Sequence, residues 1–294
     1  MRVAITGASG LIGTRLVSAL RDRGDEVVTL SRSDAEGSVQ WDPMAGPPPA
    51  QALSGAAAVV HLAGENIAQR WSASVRERIR SSRATGTANL VAGIEAATPR
   101  PAVLVCANAV GYYGDRGDEL LTESSGAGTD WLAEVCVQWE AAAREASTLG
   151  VRVAVLRTGV VLDRNGGALA KMLPPFQAGI GGPVAGGRQY LSWIHADDLV
   201  AFYLAAIDDA RYEGAVNAVA PHAIRNAEFS KALGRALHRP AIAPVPRAAL
   251  QLLFGDMAAI VTDSQNVECG RAGELGMNYA HPELDEALSA ALRR

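Results

Sequence analysis

The amino-acid sequence predicts an α/β fold, a doubly wound parallel sheet followed by a smaller C-terminal lobe. Three observations carry that expectation. Apolar strand-like runs alternate with helical stretches through the first 165 residues, the pattern of a parallel sheet with right-handed crossovers. Gly7, Gly10 and Gly13 separate the first such run from the first helix. Beyond residue 165 the texture changes: Gly179, Gly181, Gly182, Gly186 and Gly187 fall close together, and prolines recur at 240, 244 and 246.

Taken in order, Arg2 to Ile5 reads as a short buried strand, and the glycine turn leads into a helix. Glu26 to Ser31 is the second strand, and Gly46-Pro47-Pro48-Pro49 breaks the chain into a loop. Ala57 to Gly64 reads as a third buried strand running into small residues, followed by a helix from Ala73 to Ala97. Ala102 to Ala107 is a fourth strand, Trp131 to Leu149 a helix and Val151 to Leu156 a fifth strand. Residues 1–165 are expected to form a nucleotide-binding domain. Residues 166–294 are expected to form a smaller substrate lobe over the carboxyl ends of the strands, where ligands of such sheets bind. Whether the two interweave is left open.

Composition narrows the function classes. The formal charge of −4 argues against a nucleic-acid partner, although Arg70, Arg76, Arg78, Arg80 and Arg83 crowd one stretch. No apolar run approaches the ~20 residues of a membrane span. Cys106, Cys136 and Cys269 are few and widely spaced, as expected of reduced thiols in a cytoplasmic protein. No signal peptide is expected before the first strand. His61, His195, His222, His238 and His281 are scattered without metal-ligand spacing, so no metal is expected.

The glycine turn carries the most specific chemistry. Glycines at these positions let the backbone approach a pyrophosphate at the positive end of the following helix. A carboxylate at the end of the second strand would accept both adenosine ribose hydroxyls and repel a 2′-phosphate. Ser31 and Arg32 stand there instead, and an arginine offers a charge-assisted bond worth about 1.5–3 kcal/mol. The expected cofactor is therefore NADP(H), held by Gly7, Gly10, Leu11, Ile12, Gly13, Ser31 and Arg32, with Leu62, Ala63 and Gly64 after the third strand.

Four segments together resemble the extended short-chain dehydrogenase/reductase superfamily: TGASGLIG at 6–13, HLAG at 61–64, AVGYYG at 109–114 and SWIHADDLV at 192–200. LRTGVVL (156–162), KMLPPF (171–176) and the WIHxDD pattern (193–198) are similar to an atypical, epimerase-like branch. The resemblance spans nearly the whole chain and implies a Rossmann-type domain, NADP(H) and a C-terminal substrate lobe. Such enzymes ordinarily use a Ser or Thr, a Tyr and a Lys for proton transfer. Here the Tyr and Lys register reads Leu132 and Cys136, and Asn108 stands at the Ser position. Arg83 falls where extended members carry an Asn.

Several residues remain candidates for the missing chemistry. Tyr113, with Tyr112, is placed to supply a proton, or else packs at a turn. Cys136 is a candidate nucleophile, or a small residue lining the nicotinamide side. Arg83 is expected to touch phosphate or substrate, whereas Arg76 and Arg80 read as a solvated basic stripe. His195, Asp197 and Asp198 are expected to brace the two lobes. Leu191 occupies the place where nucleotide-sugar enzymes carry a diphosphate-gripping arginine. The leading expectation is an NADP(H)-dependent oxidoreductase of an unknown small molecule. A non-catalytic NADP(H)-binding module comes second and a nucleotide-sugar epimerase third.

Overall fold

Seven parallel strands form the centre of the computed structural model, which describes residues 1–33 and 36–293. They are β1 (Arg2–Thr6), β2 (Glu26–Ser31), β3 (Ser38–Gln40), β4 (Ala58–His61), β5 (Val103–Ala109), β6 (Arg152–Thr158) and β7 (Gly214–Ala218). Their order is β7-β6-β5-β4-β1-β2-β3. The chain reverses its winding at β1, which lies between β2 and β4, so a crevice opens at the carboxyl ends there. The Rossmann-type architecture implied by the sequence is therefore present.

The longer helices are α1 (Leu11–Asp22), α2 (Ala73–Ala96), α3 (Trp131–Arg144), α4 (Gly167–Gln177), α5 (Ala196–Asp208), α6 (Asn226–Leu237), α7 (Arg247–Phe254) and α8 (Leu284–Leu292). Leu16, Val17 and Leu20 of α1 pack with Phe202, Tyr203 and Ala206 of α5 on one face of the sheet. Leu90, Val91 and Ile94 of α2, with Trp139 and Ala143 of α3, cover the other. Covered on both faces, the central strands need continuous apolar runs, which is why Val3, Ala4 and Ile5 are all fully buried. Ser72 caps α2 by accepting from the Val75 amide, and Asp130 caps α3 through the Leu132 and Ala133 amides.

Two details depart from the sequence expectation, and a third bears on what it left open. β3 and a four-residue helix at Ala50–Leu53 follow β2, where only a loop was expected. β3 has no apolar run of its own and forms because β2 offers an unpaired edge. The helix expected to reach Leu149 ends at Arg144 and continues as a 3-10 turn over Glu145–Leu149. β7 and α5 come from beyond residue 165 yet complete the sheet and its cover, so the two segments are interwoven. The rest of the C-terminal segment builds a separate core with Leu162, including Leu173, Phe176, Leu191, Trp193, Phe229 and Leu288.

The bracing expected of the WIHxDD segment is built from several short bonds. Arg15 on α1 pairs with Asp163 at 2.6 Å and Asp197 at 2.9 Å. His195 caps α5 by accepting from the Asp197 amide at 3.2 Å. The buried Asp198 accepts from the amides of Ala280 (2.7 Å) and His281 (3.1 Å), tying α5 to the chain before α8. Among the described residues, no helix is long and apolar enough to cross a membrane. Asp198→Ala leaves two amides without their acceptor, and we expect a loss of about 1–3 kcal/mol in urea-induced unfolding.

Candidate functional site

The cleft at the carboxyl ends of β1, β4, β5 and β6 is shaped first by the glycine turn. Gly7 has φ +71, and a Cβ on it would lie 2.8 Å from the Leu62 carbonyl carbon and from the Ala63 nitrogen. A Cβ on Gly13 would lie 2.2 Å from the Gly7 oxygen. Gly10 begins α1 with no side-chain cap. The first-turn amides of α1 therefore keep no side-chain partner and are suited to the oxygens of a diphosphate. Ser31 is half-buried and Arg32 exposed at the end of β2, beside that turn. The residues present fit a dinucleotide.

Behind the turn, Thr6 Oγ1 lies 2.7 Å from His61 Nδ1 and accepts from the Ala63 amide at 3.2 Å. His61 Nε2 lies 2.9 Å from Thr87 Oγ1. These bonds fix the Leu62-Ala63-Gly64 loop at the height of the glycine turn. Burial, reinforced by the nearby Arg83 guanidinium, holds His61 neutral and lowers its pKa to about 4.

Arg83 sits beside Gly64, with its guanidinium carbon 3.3 Å from where a Gly64 Cβ would stand. It donates through Nη1 to the carbonyls of Glu65 (3.1 Å) and Ile79 (3.3 Å) and lies 4.9 Å from the Trp139 ring centroid. Burial pulls its pKa down from the usual arginine value. From the opposite side of the loop, Lys171 on α4 donates to the Ala68 carbonyl at 2.7 Å.

The proton-transfer candidates are engaged elsewhere. Tyr113 is fully buried; its hydroxyl donates to Asn217 Oδ1 at 2.6 Å and accepts from Arg157 Nη1 at 2.9 Å. Burial raises its pKa. A phenol buried with its hydroxyl both donating and accepting is engaged as packing at this turn. Tyr112 is half-buried, its ring centroid 3.5 Å from the Arg157 guanidinium. Asn108 donates to the Cys136 carbonyl at 3.0 Å and accepts from the Ala109 amide at 2.8 Å. Burial pushes the Cys136 thiol up to about 12, more than the Arg83 charge beside it offsets. That is the opposite of an activated nucleophile. Leu132, at the tyrosine register, packs against Gly111.

The basic stripe is not simply solvated. Arg76 pairs with Asp256 and lies 5.0 Å from the Trp131 ring centroid. Arg80 lies 3.9 Å from Glu134, with its Nε buried and unpartnered. Both are drawn inward by apolar neighbours in the same helix turn, Val75 and Ile79. Two further groupings escaped the sequence. Arg157 and Glu140 form a buried pair at 3.1 Å, and only the fold brings β6 against α3. His195, Asp197 and His281 bring potential ligand atoms within 4.8 Å of one another, although Arg15 already holds the Asp197 carboxylate.

This geometry is that of a dinucleotide-binding protein of the extended short-chain dehydrogenase/reductase type. The family model described as NAD dependent epimerase/dehydratase matches residues 3–219, and the chain belongs to that family. Residues 245–291 match a domain of unknown function (DUF1731). An Arabidopsis thaliana protein, "Epimerase family protein SDR39U1 homolog, chloroplastic", is 42% identical over 100% of this chain and 87% of its own. The crystal structure of human epimerase family protein SDR39U1 with NADPH has a TM-score of 0.91 at 36% identity, over 99% of both chains. A structure named as a nucleoside-diphosphate sugar epimerase from Corynebacterium glutamicum is 38% identical (TM-score 0.71). The match covers 99% of this chain and 65% of that one.

The His61 shift has a definite sign. The unfolded chain takes up a proton near pH 6.5 and the folded protein only near pH 4, so stability present above pH 6.5 is lost as pH falls through that window. We expect a loss of up to about 3 kcal/mol from this group. Urea midpoints measured across that range should fall more steeply in the wild type than in His61→Gln.

Proposed function

We propose that this protein is an NADP(H)-dependent oxidoreductase of a small molecule that works without the usual Ser-Tyr-Lys set. The observation that carries this is the uncapped glycine cradle of α1 beside an arginine, rather than a carboxylate, at the end of β2. Gly7, Gly10, Leu11, Ile12 and Gly13 hold the diphosphate, while Ser31 and Arg32 take the 2′-phosphate. Leu62, Ala63, Gly64, Arg83 and Cys136 line the nicotinamide side. The NADPH in the human SDR39U1 crystal structure supports this choice of cofactor.

NADP(H) supplies or accepts a hydride, and the chain's own residues set where the substrate stands. The proton comes from water or a non-standard donor, because Leu132 and Cys136 occupy the customary register and Tyr113 is enclosed. Asn108 and Cys136 act as a neutral wall. Three free cysteines suit a reducing compartment such as the cytoplasm.

The same enclosure of Tyr113 favours a second reading, a non-catalytic NADP(H)-binding module. A nucleotide-sugar epimerase ranks third. Leu191, at the position of the diphosphate-gripping arginine, is buried in the lobe core, and Arg188 is exposed. Arg225, the cation on the strand paired with Tyr190–Leu191, is engaged with Asp118 and the Arg188 carbonyl.

Arg32→Asp should weaken NADPH binding relative to NADH by about tenfold or more; equal titrated affinities would overturn the 2′-phosphate assignment. Bound NADPH should lose its nicotinamide absorbance with at least one carbonyl compound of a broad panel. Unchanged absorbance with the cofactor still held would favour the binding module.

A further inference from the structure

We propose that residues 246–263 form a lid over the substrate side of the cleft, latched at its tip by Arg76 and Asp256. Both ends of this segment are fixed to the C-terminal lobe. At one end, Val245 accepts from the Ala185 amide at 2.9 Å and donates its own amide to the Pro183 carbonyl at 2.9 Å. At the other, Gln189 donates to the Val261 carbonyl at 3.0 Å, and the Ser264 hydroxyl accepts from the Tyr190 amide at 2.9 Å.

Between these anchors the first part of the segment, α7, is mostly exposed, whereas Ala258 and Thr262 near its far end are buried. The segment consists of α7, a 3-10 turn at Gly255–Ala258 and a four-residue helix at Ala259–Thr262. The main contacts of α7 are with the turn that follows it, and Leu250 is its one buried residue. An element with so little buried apolar surface opens at low free energy.

Its tip nevertheless reaches the nucleotide-binding half. Asp256 pairs with Arg76 near the start of α2, Arg70 donates to the Leu252 carbonyl at 3.4 Å, and Gly255 lies against the Arg70 side chain. Arg70 and Arg76 flank Trp71, which continues the loop that begins at Gly64. Latch and cofactor loop thus belong to one stretch of chain. The Arg76 guanidinium also lies 5.9 Å and 5.0 Å from the centroids of Trp71 and Trp131, themselves stacked at 4.7 Å. A partly exposed ion pair of this kind is weak and screened by salt, which suits a latch better than a permanent joint.

The tip also has a reason to close further. Leu252, Leu253 and Phe254 are 78%, 64% and 41% exposed. Burying such side chains against an apolar ligand is favourable in proportion to the area covered, so a bound substrate with an apolar portion draws the lid down. The proposal rests on the preceding reading only in taking this cleft as the substrate's.

Hydrogen exchange of the full chain, followed by mass spectrometry, tests the lid without requiring turnover. Peptides within 247–262 should exchange faster than those of α6 or α8. Asp256→Asn, Arg76→Gln and 0.5 M sodium chloride should each speed that exchange about two- to fivefold, leaving α6 and α8 unchanged. The double variant should be no faster than Arg76→Gln alone, since the pair with Asp256 is already lost there. Protection of 247–262 equal to that of α6, or no response to either substitution, would overturn the lid while leaving NADPH binding untouched.

Discussion

The peptide joining Leu62 to Ala63 rests so closely on Gly7 that no side chain would fit between them. That contact requires the positive φ of Gly7, and with it the tight passage from β1 into α1. It also sets β1 and β4 to end at one level, which aligns the glycine turn with the loop after β4. Thr6, His61 and Thr87 then lock the level from behind with buried hydrogen bonds. The phosphate cradle, the Gly64 loop and the seat of Arg83 all follow from this single approach of two backbones.

Charge in the site is organised by carbonyls rather than carboxylates. Arg83 and Lys171 reach the same loop from α2 and α4 and take the carbonyls of Glu65 and Ala68. Each orders the backbone between them through a hydrogen bond to a carbonyl. Elsewhere the opposite holds: Arg15, Arg76 and the buried Arg157 are matched by Asp163, Asp256 and Glu140. Arg83 and Lys171 thus bond to backbone at this loop, while the arginines of the surrounding scaffold are matched by carboxylates.

Much of this was legible in the sequence because it rests on local rules. Glycines between a strand and a helix have one common use, and alternating apolar runs and helices have one common topology. The register that puts Leu132 and Cys136 in place of a tyrosine and a lysine was equally readable. What stayed hidden depends on contacts between distant positions. The bonds of Tyr113 to Arg157 and Asn217 join residues 44 and 104 positions apart. β3 carries no pattern of its own and exists because β2 lacks a neighbour. Arg76 and Arg80 read as solvated because the indole and carboxylates that hold them come from other elements.

Under the proposed function, the loss of the usual acid and the presence of a weakly held lid belong together. A sealed hydride-transfer site needs its own proton source, since exclusion of water removes the alternative. Here the position of the donor is filled by Leu132, and the buried phenol of Tyr113 is committed to Arg157 and Asn217. In the reading where water is the donor, the proton enters from solvent. A cover fastened by one exposed ion pair and one long backbone contact admits water between closures, whereas a tightly packed roof would leave the product oxyanion unprotonated. The stability of the lid and the chemistry of the site are therefore coupled, and tightening the first would slow the second.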